Sequence, residues 1–434
     1  MSDINAHKTA DDTPVDGELF EDERTTNESV TIEVVADDQC ASDSESTSDS
    51  EDDSDDEHPL EFDVDALKRI SAERLQKSEC ISVVKLGEGS FNKAFILTMD
   101  DGFECVARLA LPCFPRYKTE SEVATMQFVA ERTSIRVPEV YAWDANPRNA
   151  IGAEYILMER IPGEPLNTIW KGLSLEKKKG IVLQLIDVLL QLFDIEDTTL
   201  DKIGSLYKGN EDHTYHVGLI VSDLFFTEER ANMDLDRGPW MNTREYLTAV
   251  VQSQADYLKA PHASELDDRV VQNGLSACSE LRSILPDFCP DNATLERLCL
   301  HHLDINTGNI MLQQADDTGD WKISGIIDWE AAGVYPAWSC ALCPKFIEGE
   351  GRDVEASDAD NWLDADQFQQ LLVETELRKF FHSETSKRSR AFRIAMDEGA
   401  KTRAFEDQAI FARDYPGHVK RWISGLGSSG DGWE

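Results

Sequence analysis

"HHLDINTGNIMLQ", residues 301–313, is followed one short hairpin later by "ISGIIDWEAAG", residues 323–333. The first stretch sets His302, Asp304 and Asn309 in the pattern HxDxxxxN. The second ends an apolar run on Asp328. Transfer of a phosphoryl group from ATP asks little covalent chemistry of a protein. It needs a carboxylate to orient and deprotonate the attacking hydroxyl, and oxygen ligands for the Mg²⁺ that neutralises the phosphates. Asp304 suits the first task. Asn309 offers an oxygen to the metal from the same loop, and Asp328 reaches it from the neighbouring hairpin. His302 belongs to the same catalytic loop and is read as bracing it.

Working outward, "EFDVDALKRISAERL" (61–75) reads as an amphipathic helix with Asp63 or Asp65 at its N-cap. "SVVKLGEGSFNKAFILTM" (82–99) reads as strand, glycine turn, strand, and "ECVARLAL" (104–111) as a third strand. "TESEVATMQFVAERT" (119–133) is a helix, and "AEYILMERIPGEPL" (153–166) a strand that stops at a Pro-Gly turn. Beyond it the chain is mainly helical, apart from the hairpin formed by 310–313 and 323–328, whose turn "ADDTGDW" (315–321) is rich in Asp and Gly. A small antiparallel sheet with a helix, then a helical part, is the α+β class. "IVLQLIDVLLQLF" (181–193) is interrupted by Gln184, Asp187 and Gln191 at helical spacing, so it reads as a mostly buried helix with a polar stripe.

Charge divides the chain unevenly. Residues 1–60 hold 21 acidic and two basic side chains, −19 of a total of −42 over 434 residues. Within them "ASDSESTSDSEDDSDDE" (41–57) has no apolar residue larger than alanine, so the segment is expected to be a disordered acidic tail. Ser42, Ser46, Ser48, Ser50 and Ser54 stand among acidic residues, as acidophilic kinases prefer; a plain solubilising tail is the equal alternative. The acidity argues against nucleic-acid or anionic-membrane partners. No run of 18 uninterrupted apolar residues exists, so no membrane span is expected. Nine scattered cysteines suggest reduced thiols, and Cys340 and Cys343 form a lone CxxC without further ligands at zinc spacing. The first 20 residues carry Lys8 against five acids, the wrong chemistry for a transit peptide, so a cytoplasmic location is expected.

Taken together these segments resemble the aminoglycoside phosphotransferase family, also called the phosphotransferase enzyme family, whose fold is protein-kinase-like and two-lobed. "HHLDINTGN" resembles its catalytic loop and "GIIDWE" its metal-binding segment. "TSIRVPEVYAW" (133–143) and "GAEYILMERIPGEPL" (152–166) resemble the segments around the hinge, notably in the fungal branch. The likeness covers roughly residues 80 to 345. It implies an acidic tail (1–60), a nucleotide-binding lobe (61–160) and a helical lobe with the catalytic loop (161–434). It also implies an ATP- and Mg²⁺-dependent kinase acting on a small-molecule hydroxyl.

The resemblance gives further residues a role. Gly87 and Gly89 of "GEGSF" would let backbone approach phosphates without a Cβ in the way, and Ser90 could reach one. Asn92 replaces the third glycine of the protein-kinase pattern. Arg108 stands where kinases usually carry a lysine, and Glu122 is its expected partner, with Glu120 as competitor. Met158, Glu159, Arg160 and Ile161 would form the hinge, whose backbone pairs with adenine. Glu330 faces either substrate or solvent. Trp240 is read as core, and His301 and the remaining histidines as structural. Two other functions compete: a nucleotide-binding pseudoenzyme or interaction protein, and a protein kinase, for which the stretch from Asp328 to Pro336 leaves little room for an activation segment. The natural substrate is expected not to be an antibiotic.

Overall fold

Period-two burial builds the first sheet. Along β3 (Glu104–Ala110), Cys105, Ala107 and Leu109 face one way, and Val106 and Arg108 the other. The first face, with Phe95, Leu97 and Met99 of β2 (Asn92–Met99) and Leu157 of β5 (Tyr155–Glu159), packs on Leu67 of α1 (Val64–Arg74). The second face, with Ile156 and Met158, packs on Val123, Met126 and their neighbours on α2 (Tyr117–Arg132). With β1 (Cys80–Glu88) and β4 (Val140–Asp144) the sheet is antiparallel throughout, in the order β1-β2-β3-β5-β4. Asp63 caps α1, its Oδ1 accepting from the Ala66 amide at 2.8 Å.

This computed structural model describes residues 60–426, apart from 113, 115, 210, 212, 316–318, 350–353 and 355–363. The expected acidic tail and its five serines lie outside the described residues, as does the middle of the 315–321 turn.

After the sheet the chain makes β6 (Glu164–Pro165), which pairs with β10 (Ile310–Gln314); β10 in turn pairs with β11 (Trp321–Ile326). Gly163 allows that crossing: its φ is +106°, and a Cβ there would stand 2.0 Å from the Leu312 carbonyl oxygen. The long helix α3 (Leu175–Phe193) buries Ile181, Val182, Leu185, Ile186 and Leu189. Its polar stripe is engaged. Gln184 donates to the Trp321 carbonyl and accepts from the Ile323 amide, both at 3.0 Å, so it serves the outer edge of β11 as a partner strand would. Gln191 accepts from Ser134, and Asp187 pairs with Arg388.

The remainder is mainly helical, with long helices at Thr243–Tyr257, Asp268–Ile284 and Ala365–Arg388. The α+β, kinase-like architecture stands: a five-stranded antiparallel sheet and a helical C-terminal part. Two small sheets went unread in the sequence. β7 (Ser205–Lys208) pairs with β8 (Tyr215–Gly218), and β9 (Leu298–His301) with β12 (Gly333–Pro336). At four residues each they are too short for a periodic signal. Trp240 is core, 3% exposed, its indole nitrogen donating to Asp236. Among the described residues no helix is long and apolar enough to cross a membrane.

Gly163→Ala is expected to cost about 3 kcal/mol, since both the backbone conformation and the carbonyl contact are incompatible with a Cβ. A lowered urea midpoint at unchanged slope would register it.

Candidate functional site

The pairing of β9 with β12 closes a loop whose two arms carry the sequence motifs. His301 stands opposite Gly333, and everything between them, including the β10–β11 hairpin, projects from that base. The turn 302–309 is then fixed from within. The His302 ring is fully buried against Trp329, with centroids 4.5 Å apart. Its Nδ1 receives the Asp304 amide at 3.3 Å, so Nε2 carries the hydrogen and donates to the Ile327 carbonyl at 3.0 Å. Burial lowers its pKa, in keeping with a neutral ring. His302 therefore ties the two arms and reaches no cavity.

Asp304 is exposed, and both of its carboxylate oxygens are held. Oδ1 accepts from Asn306 Nδ2 at 2.9 Å, and Oδ2 from Asn309 Nδ2 at 2.8 Å. Asn309 Nδ2 also donates to the Asp304 carbonyl, so the amide nitrogen is committed to Asp304 through both contacts. Asn306, given no role in the sequence reading, also caps the turn by accepting from the Gly308 amide at 2.7 Å. Leu303 and Asp328 both adopt positive φ, +65° and +66°. Asp328 thus lies past the end of β11 rather than on it. The Ile327 amide, bonded to the Asn309 carbonyl at 3.0 Å, holds Asp328 beside Asn309.

Arg108 does pair with Glu122, Nη1 to Oε1 at 2.7 Å, with side chains 9% and 2% exposed. Glu120 pairs with Arg116 instead. The second Arg108 nitrogen meets two further carboxylates, Asp328 Oδ1 at 2.7 Å and Glu330 Oε2 at 2.9 Å. Burial works against the Arg108 charge, and the three carboxylates outweigh it, so its pKa is raised. Burial pushes the Glu122 carboxyl up, against the pull of Arg108 and Lys118.

Glu330 borders the space beside Asp304, and its carboxylate is engaged by the protein's own donors. Its Oε2 also accepts from Lys118 Nζ at 3.0 Å and Asn92 Nδ2 at 2.5 Å. Lys118, 2% exposed, escaped the sequence reading. The available signal was its place one helical turn before Glu122, which puts both on one face of α2. A cavity of about 300 Å³ lies against this network, walled by Phe91, Phe114, Lys118, Leu303, Asp304 and Glu330 among others. It joins the tip of the glycine hairpin to the Asp304 loop.

The remaining sequence candidates fall as follows. Gly87, Gly89 and Ser90 are exposed on the β1–β2 hairpin, and a Cβ on either glycine would meet nothing within 4 Å. Neither has positive φ, so neither packing nor backbone conformation demands glycine there. Met158 is buried in β5. The Glu159 amide is taken by the Glu139 carbonyl at 2.8 Å and its side chain by Arg136, so this N–H is not among the hinge groups left for a nucleotide base. Arg160 pairs with Glu104, and the Ile161 side chain packs against Gly325. Among the described residues Cys340 and Cys343 are free thiols, and no cluster of three or more His, Cys, Asp or Glu forms a metal cage.

A family model described as the phosphotransferase enzyme family matches residues 82–339. A subtelomeric hrmA-associated cluster protein of Aspergillus fumigatus is 30% identical over 320 residues, 63% of this chain and 62% of its own length. A protein of Yarrowia lipolytica named altered inheritance of mitochondria protein 9, mitochondrial, is 24% identical over 290 residues, 59% of this chain and 50% of that one. The chain thus spans about half to three-fifths of the length of these curated relatives. Among solved structures, the streptomycin–ATP–APH(2")-IIa ternary complex is 14% identical with TM-score 0.44, covering 86% of this chain and 98% of that one. The macrolide 2'-phosphotransferase MphH of Brachybacterium faecium is 12% identical with TM-score 0.38, covering 85% and 99%. The relatives correct the cytoplasmic expectation, since several, in Debaryomyces hansenii and Lachancea thermotolerans as well as Yarrowia, bear mitochondrial names.

Arg108→Met should destabilise the protein by about 3–5 kcal/mol, because it leaves Glu122 buried without its guanidinium. Adding Glu122→Leu should recover more than half of that in the same urea titration. Burial also pushes His301 down to about 4 and lowers His302. The unfolded chain takes up those protons below about pH 6.5 and the fold does not, so stability present above that pH is lost as it falls toward 4. His301→Phe should flatten the melting temperature against pH between those limits.

Proposed function

Since the chain belongs to the phosphotransferase enzyme family, over residues 82–339, we propose that it is an ATP-dependent kinase that phosphorylates a hydroxyl of a small molecule. The observation that carries this reading is the joining of Asp304, Asn309 and Asp328. Asn309 grips the Asp304 carboxylate with its amide nitrogen, and its backbone carbonyl positions the residue before Asp328.

The donor set suits magnesium and a nucleotide. Asn309 presents Oδ1, and Asp328 keeps one carboxylate oxygen beyond the one bonded to Arg108. Magnesium characteristically takes one or two protein oxygens and completes its shell with phosphates and water, so a full protein cage is not needed. The two glycines whose missing side chains leave open space preserve a surface that phosphates can approach. When bound, the metal and nucleotide supply the phosphoryl group and the neutralisation of its charge. The chain's own residues do the rest. Asn309 and Asp328 hold the metal. Asp304, pinned on both oxygens by Asn306 and Asn309, takes the proton from the substrate hydroxyl. His302 keeps the Asp304 loop and the Asp328 segment in register. Arg108, kept charged by Glu122, supplies positive potential at the phosphates, the task of the usual lysine. The segment from Asp328 to Pro336 is short and ends in β12, so it holds no long activation loop, which favours a small substrate over a protein one.

ATP consumption should be screened against a panel of hydroxyl-bearing metabolites with wild type and Asp304→Asn in parallel. The expected result is a substrate-dependent rate that falls at least about 100-fold in the variant. Equal rates in the two would defeat the enzyme reading.

A further inference from the structure

Three donors from three elements converge on one oxygen. Glu330 Oε2 lies 2.5 Å from Asn92 Nδ2 on the glycine hairpin, 3.0 Å from Lys118 Nζ on α2 and 2.9 Å from Arg108 Nη2 on β3. A guanidinium, an ammonium and an amide gathered on a single oxygen make an oxyanion site, here filled by the protein's own carboxylate. We propose that this site binds a phosphate of the nucleotide, with Lys118 and Asn92 as ligands beside Arg108, and that Glu330 is an internal anion that must leave before the phosphate enters. The inference rests on the nucleotide-binding reading above and adds the residues that gate it.

Saturation of Lys118, and of the Arg108 nitrogen that faces Glu330, carries the proposal. An ammonium has three N–H bonds. Those of Lys118 meet Asn92 Oδ1 at 2.5 Å, Glu330 Oε2 at 3.0 Å and the Phe91 carbonyl at 3.4 Å. Arg108 is held by Glu122 through one terminal nitrogen and by Asp328 and Glu330 through the other. The Lys118 ammonium and the Arg108 nitrogen that faces Asp328 and Glu330 have every N–H engaged, so neither group can meet a phosphate until an acceptor departs. Glu122 is too deeply buried to leave, its side chain 2% exposed. Asp328 touches only Arg108 of the two. Glu330 is the one carboxylate shared by both, and its side chain, 18% exposed, borders the cavity beside Asp304. Its departure frees a donor on Arg108, on Lys118 and on Asn92 at once. The arrangement also keeps the glycine hairpin latched to the Asp328–Glu330 segment until an incoming anion replaces the latch.

The test is binding, which needs no knowledge of the hydroxyl substrate. Titration calorimetry with pyrophosphate and with Mg²⁺·ADP, alongside thermal melts with and without each, is run on the full chain. Glu330→Gln should tighten both probes about tenfold, as expected when a competing charged hydrogen bond is removed, and should enlarge the probe-induced rise in melting temperature. In that background Lys118→Met should weaken them about tenfold or more, and Lys118→Arg should restore most of the loss. Asp223→Asn is the charge control, since it removes one carboxylate from the same cavity without touching the three donors, and should shift affinity less than twofold. Glu330→Asp, which shortens the latch but keeps the charge, provides a second folded variant and should also tighten binding. If Glu330 variants fold yet bind no more tightly, or if Asp223→Asn tightens as much, the gate is overturned. If Mg²⁺·ADP then still binds and is lost in Asp328→Asn, the kinase reading survives that failure. No binding by any variant would overturn both.

Discussion

A charged guanidinium buried between a sheet and a helix is the constraint from which the rest of the site follows. Arg108 sits on the face of β3 that α2 covers, opposite in alternation to Ala107 and Leu109. An unpaired charge there would cost several kcal/mol, so carboxylates must come to it. Glu122 comes from the helix that covers the sheet, and Asp328 and Glu330 from beyond the β10–β11 hairpin. One side chain thereby sets the helix against the sheet and the sheet against the segment 328–330. The pairing of β9 with β12 then decides where that segment can stand, and the turn carrying Asp304 inherits its place.

Much of this was readable in the linear sequence, for identifiable reasons. Strands β1, β2, β3 and β5 were legible from apolar runs and the glycine turn, and α1 from its amphipathic pattern with Asp63 or Asp65 at its cap, whereas β4 was not read as a strand. The HxDxxxxN and IDWE segments are local, so the residues that must cooperate are near one another in the chain. What escaped is what depends on distant contacts. Lys118 looks like any lysine near a helix start, until folding brings Asn92 and Glu330 to it across more than 200 residues in one case. Glu330 could not be assigned because its three donors lie on three other elements. The Glu159 amide reads as open in a hinge motif, yet a neighbouring carbonyl takes it. Asn306 was overlooked for the opposite reason: it sits inside the motif, where a turn-forming role hides behind its neighbours.

Location was misjudged by a different route. Composition reports solvent and redox environment, not address. Relatives with mitochondrial names carry the correction. The global acidity is likewise a poor guide to the site, where two cations and three carboxylates are arranged in contact and the local arrangement outweighs the total.

Leu303 and Asp328 hold left-handed backbone on either side of the β10–β11 hairpin, and Leu303 does so with a branched, 41% exposed side chain. Each costs on the order of 1–3 kcal/mol that the surrounding bonds must offset. An engineer looking for a hardier protein would find Leu303 an inviting place for glycine, since the backbone there already asks for it. The same change would slacken the chain immediately before Asp304. Durability gained by that route would be taken out of the precision with which the Asp304 carboxylate is held.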